Sequence, residues 1–306
     1  MKQTQSMAIT GGTGFVGQAL VDLVGRRDFA LRSLARKVPA KQRGVEWIKG
    51  DLGNRASLDR LMGDAEYVVH IAGQVRARDP AEFEMSNVTG TLNAVEAAVD
   101  AGVRRFVFVS SLAAREPHLS AYGASKLRAE RIVMASGLDW TIVRPPAIYG
   151  PRDKEMLDLF EMATMRVLPM PKDGAASLIH VGDLARLLLV LGETGEDITS
   201  KIFEPDDGKP GGWEHRELAQ AIGASVGTKP WVPRLSERTM MFAARMDRLL
   251  RRDGAKLTPD RVGYMAHPDW VSSAEAKPPS ALWVPKIPTR DGLKATARWY
   301  RERKWI

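Results

Sequence analysis

The stretch MAITGGTGFVGQAL, residues 7–20, restricts what this chain can fold into more than any other. A short apolar strand runs into Gly11, Gly14 and Gly17 at G-x-x-G-x-x-G spacing, and a helical period begins at once. A glycine turn between an N-terminal strand and a helix lets the backbone approach a pyrophosphate while the helix N-terminus faces it. Gly17 then permits close helix–strand packing. Glycine spacing alone is weak evidence, and a plain strand–helix turn would also satisfy it. The position directly after the first strand favours a dinucleotide site, with Thr13, Phe15 and Val16 completing the cradle.

The rest of the N-terminal half fits that frame. Strands are predicted over residues 7–10, 31–34, 45–48, 67–71, 106–110 and 141–144. Helical periods run over 15–26, 88–101 and 122–135. Runs such as YVVHIA and RFVFVSS are apolar without alternation, as in strands covered on both faces. Strand–helix alternation argues for an α/β fold, a doubly wound parallel sheet of the Rossmann type. Residues 1–150 form the expected dinucleotide-binding domain, and prolines then break the chain repeatedly. Residues 151–306 read mainly as a smaller substrate lobe, from which 178–205 (SLIHVGDLARLLLVLG through KIFEP) return to the main sheet.

At 306 residues, with 44% hydrophobic and 27% charged residues, the chain suits a soluble globular protein. Its longest apolar run, LLLVL, is too short to span a bilayer. The absence of cysteine fits a cytoplasmic protein. A net charge of +8 points to an anionic partner, such as a phosphorylated cofactor or a membrane surface. The basic residues are scattered and carry no zinc-ligand or aromatic RNA-binding pattern, so neither a metal nor nucleic acid is expected.

The end of the second strand selects the dinucleotide. A carboxylate there would bind free ribose hydroxyls, whereas an arginine accommodates a 2′-phosphate. The sequence is LARKVPA, with Arg36 and Lys37, and NADP(H) is therefore placed ahead of NAD(H). After the third strand, GDLGN sets Asp51 and Leu52 on the adenine side, although Asp51 or Asn54 could equally cap a helix. HIAG sets Ala72 and Gly73 along the cofactor path, with His70 read as packed structure.

AYGASKLRAE places Tyr122 four residues before Lys126, on one face of a helix. A free phenol titrates near 10, too high for a base at neutral pH, and a neighbouring ammonium lowers it. The serine pair Ser110–Ser111 closes the fifth strand and can polarise a substrate oxygen. A Tyr/Lys pair at this spacing is common on helix surfaces. Its place after a strand-ending serine, in a chain that opens on a dinucleotide cradle, makes it the leading catalytic candidate.

Together TGGTGFVG, GDL, HIAG, NVTGTLNAVEAA, VSS, YGASK, RPPAIYGP and IHVGDLA resemble the extended short-chain dehydrogenase/reductases, or epimerase/dehydratase family, across almost the whole chain. The resemblance implies Ser111 on the substrate oxygen, Tyr122 as acid/base and Lys126 as its activator and a ligand of the nicotinamide ribose. Ser111 is favoured because Ser110 still falls within the expected strand. The resemblance also implies that Asn87 supports the active-site helix, that Pro145 and Ile148 flank the nicotinamide, and that the protein can pair as a homodimer. Nucleotide-sugar members carry an arginine shortly before IHV and an asparagine after the sixth strand. This chain has GAASLIHV and Pro145–Pro146, and leans instead toward reductases of steroid- or lipid-like ketones, a keto-ceramide among them. Transient oxidation by an epimerase, and non-catalytic NADPH binding, are the competing readings.

Residues 235–252 hold Leu235, Phe242, Met246, Leu249 and Leu250 in one helical stripe, with Arg238, Arg245, Arg248, Arg251 and Arg252 on another arc. The plainer expectation is a lid helix whose apolar stripe packs on the core. The sharper one is a lid over an apolar pocket that also touches anionic headgroups at the inner face of a membrane.

Overall fold

The computed structural model describes residues 6–25, 30–39, 44–192, 195, 197–251 and 257–306. Arg26, at the end of the first expected helix, and Arg252 lie outside them. The chain forms two compact units: the first runs to Pro145 and takes back Leu184–Glu204 and Pro278–Trp283; the second comprises Pro146–Asp183, Pro205–Lys277 and Val284–Ile306.

In the first unit seven parallel strands form one sheet. They are β1 (Ser6–Thr10), β2 (Ala30–Ala35), β3 (Val45–Lys49), β4 (Tyr67–His70), β5 (Arg105–Val109), β6 (Asp139–Val143) and β7 (Lys201–Phe203). Their order is β3-β2-β1-β4-β5-β6-β7. The order reverses between β1 and β4, the switch point at which such sheets bind ligands beyond their C-terminal strand ends. Helices α1 (Phe15–Val24), α2 (Arg55–Met62), α3 (Gly90–Asp100), α4 (Ala121–Met134) and α5 (Val181–Val190) connect the strands. Alternate strand residues face opposite sides. Ala8, Val68, Phe106, Phe108 and Ile142 meet Leu58, Leu61, Ala94, Ala98, Ala129 and Val133 of α2, α3 and α4 in one buried cluster. Met7, Ile9, Val69 and Val107, also fully buried, face the other way. The six expected strands are all present, their ends shifted by two residues at most.

Of the returning segment, only Lys201–Phe203 adds a strand, beside β6. Leu178–His180 pairs with Ala147–Tyr149 in a two-stranded sheet of the second unit, so this part of the expected return to the main sheet is corrected. These strands are three residues each, too short for sequence pattern to fix their partner.

A buried guanidinium staples the returning chain. Arg105, with no exposed surface, donates to the carbonyls of Leu191 (3.1 Å) and Ile198 (3.2 Å) and to Asp139 (2.5 Å) and Thr141.

The second unit has its own core of Tyr149, Phe160, Leu178, Trp213, Leu218, Leu293 and Tyr300. Its helices include Leu157–Thr164, α6 (His215–Ser225), α7 (Glu237–Arg251), α8 (Pro259–Met265) and α9 (Thr289–Glu302). Among the described residues no helix is long and apolar enough to cross a membrane.

Candidate active site

Because the sheet is parallel, the turns after β1, β2, β3, β4, β5 and β6 all open on one edge. That edge gathers the glycine turn, Arg36, Asp51, Ala72–Gly73, Ser111 and Pro145. Ile148 belongs to the second unit.

The glycine turn is shaped by close approaches. Gly11 has φ +75°, and a β-carbon there would lie 2.7 Å from the Ala72 nitrogen, so the turn presses on the chain leaving β4. On Gly17 a β-carbon would meet the Gly11 oxygen at 2.1 Å, which holds α1 against the turn. Gly14 is different. It is the N-cap of α1 without a side-chain cap, it is exposed beside exposed Thr13, and a β-carbon there would find only the Gly11 oxygen, at 3.2 Å. A bare helix N-terminus that a side chain would begin to fill fits a pyrophosphate. Phe15 is half-buried and Val16 turns into the core. Sequence reasoning passed over Gly12, where a β-carbon would strike the Ser33 hydroxyl at 2.1 Å.

Arg36 and Lys37 follow β2 directly and are exposed. Asp51 accepts from the Gly53 nitrogen at 2.9 Å, while Asn54 caps α2 by accepting from Ser57. The two residues thus divide the turn and cap roles. Leu52 lies over Gly90 at the start of α3.

His70 is structural. It is fully buried between Phe106 and Phe108, with Nδ1 2.7 Å from the Thr10 hydroxyl and Nε2 3.1 Å from that of Thr91. Thr91 donates its proton to the Asn87 carbonyl, so His70 Nε2–H donates to Thr91. The Thr10 oxygen accepts from Ile71 and Ala72, so its own proton goes to Nδ1. Burial, and secondarily the Lys126 charge, lower the His70 pKa to about 3 and keep the ring neutral.

Ser110 and Ser111 separate cleanly. Ser110 is buried and donates to Glu130 at 2.5 Å. Ser111 is half-exposed and caps the short 3-10 turn Leu112–Arg115, its oxygen accepting from the Ala113 nitrogen at 3.2 Å. The next residue, Leu112, donates to the Pro145 carbonyl at 3.1 Å, which sets Ser111 beside the end of β6.

Helix α4 begins at a Ser120 cap on Gly123 and carries Tyr122 and Lys126 one turn apart. Tyr122 is half-buried, its ring 5.8 Å from that of Phe83. Lys126 is buried and donates to the Val109 carbonyl at 2.7 Å, with its ammonium 4.5 Å above the Phe108 ring. A β-carbon on Gly73 would lie 3.9 Å from that ammonium, which places Lys126 beside the chain leaving β4. Burial lowers its pKa to about 8, against the opposing pull of the Glu130 carboxylate.

Two supports surround this pair. Asn87, fully buried in a π-helical turn over Glu84–Thr89, donates to the Gln74 carbonyl (3.0 Å) and to the Ser125 hydroxyl (2.9 Å), and accepts from the Gln74 nitrogen (2.7 Å). It therefore links the chain after β4 to α4. The second support was missed in the sequence. Glu130, fully buried, receives both arms of Arg144 (2.9 and 2.6 Å) and the Ser110 hydroxyl. Arg144 and Arg115 also approach buried Glu204, at 3.8 and 3.5 Å. The available signal was a glutamate at i+4 from Lys126, sharing a helical face with Ala129 and Val133.

In the second unit the position before LIH is Ser177, buried and donating to Asp206 at 2.8 Å, with Lys277 on the same carboxylate. No arginine stands there to meet a diphosphate.

Comparison with known proteins shows the family. Residues 7–204 match the profile of the NAD dependent epimerase/dehydratase family. A ceramide reductase of Caulobacter vibrioides is 37% identical over 98% of this chain and 96% of its own length. The 4-hydroxy-2-methyl-3-oxo-4-farnesyl-3,4-dihydroquinoline-1-oxide ketoreductase of Stigmatella aurantiaca is 29% identical over 73% of this chain and 75% of its own. Among solved structures, MoeE5 in complex with UDP-glucose and NAD superposes with a TM-score of 0.75 at 21% identity, over 98% of this chain and 99% of that one, a likeness of fold.

Proposed function

Starting from the fact that this chain belongs to the NAD-dependent epimerase/dehydratase family and is an oxidoreductase of the short-chain dehydrogenase/reductase type, we propose that it reduces a ketone on a long-chain, ceramide-like substrate with NADPH. The observation that carries the reading is Lys126: an ammonium buried at the ligand edge of the sheet, one helical turn from Tyr122 and against the chain that leaves β4. The substrate class rests on the ceramide reductase, which is similar to this chain over nearly the full length of both. The stretch GAASLIHV, which carries no arginine before IHV, argues against a sugar nucleotide.

In this reading the residues divide the work as follows. Gly11, Thr13 and Gly14 hold the pyrophosphate at the N-terminus of α1, and Arg36 with Lys37 meets the 2′-phosphate. Asp51 and Leu52 border the adenine; Ala72, Gly73 and Pro145 border the nicotinamide half. A bound nicotinamide supplies the hydride that reaches the carbonyl carbon. Ser111 donates a hydrogen bond to the carbonyl oxygen and fixes its position. Tyr122 gives its phenolic proton to that oxygen as the C=O bond becomes C–OH, and is reprotonated from solvent. The Lys126 ammonium stabilises the phenolate that remains. Its burial strengthens that effect, because a charge in a poorly screened site acts more strongly on its neighbour.

The test is turnover of a keto-ceramide by the purified chain with NADPH and with NADH. NADPH should be consumed stoichiometrically and preferred, and Tyr122→Phe should lower kcat at least a hundredfold while NADPH still binds. Full activity in Tyr122→Phe, or turnover without net oxidation of NADPH, would sink the proposal.

A further inference from the structure

Helix α7 is apolar on two opposite sides, and only one of them is covered. Met240 (4% exposed) and Ala244 (0%) face inward and pack with Val262, Leu235, Met241, Leu257 and Ala266. At 100° per residue, Phe242, Met246, Leu249 and Leu250 fall on the far side, where they are 67%, 40%, 72% and 76% exposed. The expectation that this stripe packs on the core is therefore corrected in part: Leu235 lies in the strand Arg234–Leu235 and packs with Met240 and Ala244, whereas Phe242, Met246, Leu249 and Leu250 face outward. Arg238, Arg245 and Arg248 border the outer stripe and are exposed, and Arg245, Arg248, Leu249 and Pro259 line a shallow surface depression. Arg251 folds back onto Asp247 at 3.3 Å.

We infer that the outer face of α7 docks on an anionic lipid bilayer. Four large apolar side chains on the crest of one helix, bordered along one edge by guanidiniums, match an interfacial helix: the apolar residues enter the acyl boundary while the arginines stay level with the phosphates. A stripe of this size is uncommon on a monomer surface that meets only water. The charge selects the occupant. A second copy docking face to face would set the same arginines against each other, whereas an anionic surface pairs with all of them and attracts a chain of net charge +8 from a distance. The inference rests on α7 alone and stands or falls separately from the Tyr122 chemistry.

The experiment is sedimentation of the full chain with vesicles of phosphatidylcholine alone and with about a third phosphatidylglycerol. The anionic vesicles should carry the protein down, less so as salt rises, and the neutral ones should not. Two arginines at a charged surface are worth about thirtyfold in partitioning, so Arg245→Gln with Arg248→Gln should weaken binding by about that factor. Phe242→Ser with Leu249→Ser and Leu250→Ser should remove it. Both variants should keep the parent's circular dichroism spectrum and cooperative thermal transition, which establishes that they are folded. Equal sedimentation with both vesicle types, no sedimentation with either, or a protein–protein dimer dissolved by the apolar variant would each overturn the inference.

Discussion

The carbonyl oxygen of Ala113 lies 2.5 Å from where a β-carbon on Gly123 would stand. That approach packs the first turn of α4 against the 3-10 turn that follows Ser111, so the spacing between the Ser111 hydroxyl and the Tyr122 helix is set by a missing side chain. The glycine in YGASK is thus required by packing, because any side chain there would meet the Ala113 carbonyl.

Gly123→Ala should therefore impair catalysis with little effect on the distant adenine end. Relieving the clash requires backbone movement, and overpacking of this kind costs about 1–3 kcal/mol. If that strain displaces Tyr122, kcat falls about tenfold or more while affinity for the nicotinamide cofactor stays within about threefold. Steady-state kinetics beside a cofactor titration checks this. Unchanged kcat would mean the helix does not set the Ser111–Tyr122 spacing.

Glu130 should tune the reaction through Lys126. Burial holds Lys126 near 8, and the Glu130 carboxylate opposes that fall. In Glu130→Gln the ammonium is lost at lower pH. The alkaline limb of kcat/KM for reduction, which reports the coupled Tyr122–Lys126 pair, should move down by about one pH unit. A merely structural role would lower stability and leave the limb in place; Glu130→Asp should return the limb toward its original position.

Acid should destabilise the fold through His70. The unfolded imidazole takes up a proton near 6.5, and the buried one only near 3. Stability owed to this group is complete above about pH 6.5 and falls by about 1.4 kcal/mol per pH unit below it, until the folded value is reached. Urea unfolding between pH 6 and 4 should show one fewer proton taken up in His70→Asn than in the parent. Parallel slopes for the two proteins would remove His70 from the account.

The strands and the glycine turn were legible because their signals are local: an apolar run of four to six residues bounded by glycine or serine reads the same in any context. The Ser110 and Ser111 roles were half legible; both follow a strand directly, but only three-dimensional packing shows that Ser110 is spent on Glu130. The Glu130–Arg144–Glu204 cluster joins residues 14 to 74 positions apart, and no periodicity reports such a pairing. Helix α7 misled for a different reason. Its period was right, but period does not say which of two apolar sides is covered, and it is Met240 and Ala244 that pack with Val262 of α8.

The staple at Arg105 bears on how this domain can be assembled. A guanidinium sealed in the sheet's interior needs the oxygens of Leu191 and Ile198, which lie 86 and 93 residues further along the chain. A polypeptide cut after Pro145 would retain six of the seven strands and the whole glycine turn, yet would strand a buried cation with half its ligands missing. The nucleotide-binding half is thus contiguous in appearance only, and an excised version of it should remain unfolded until the later segment is supplied.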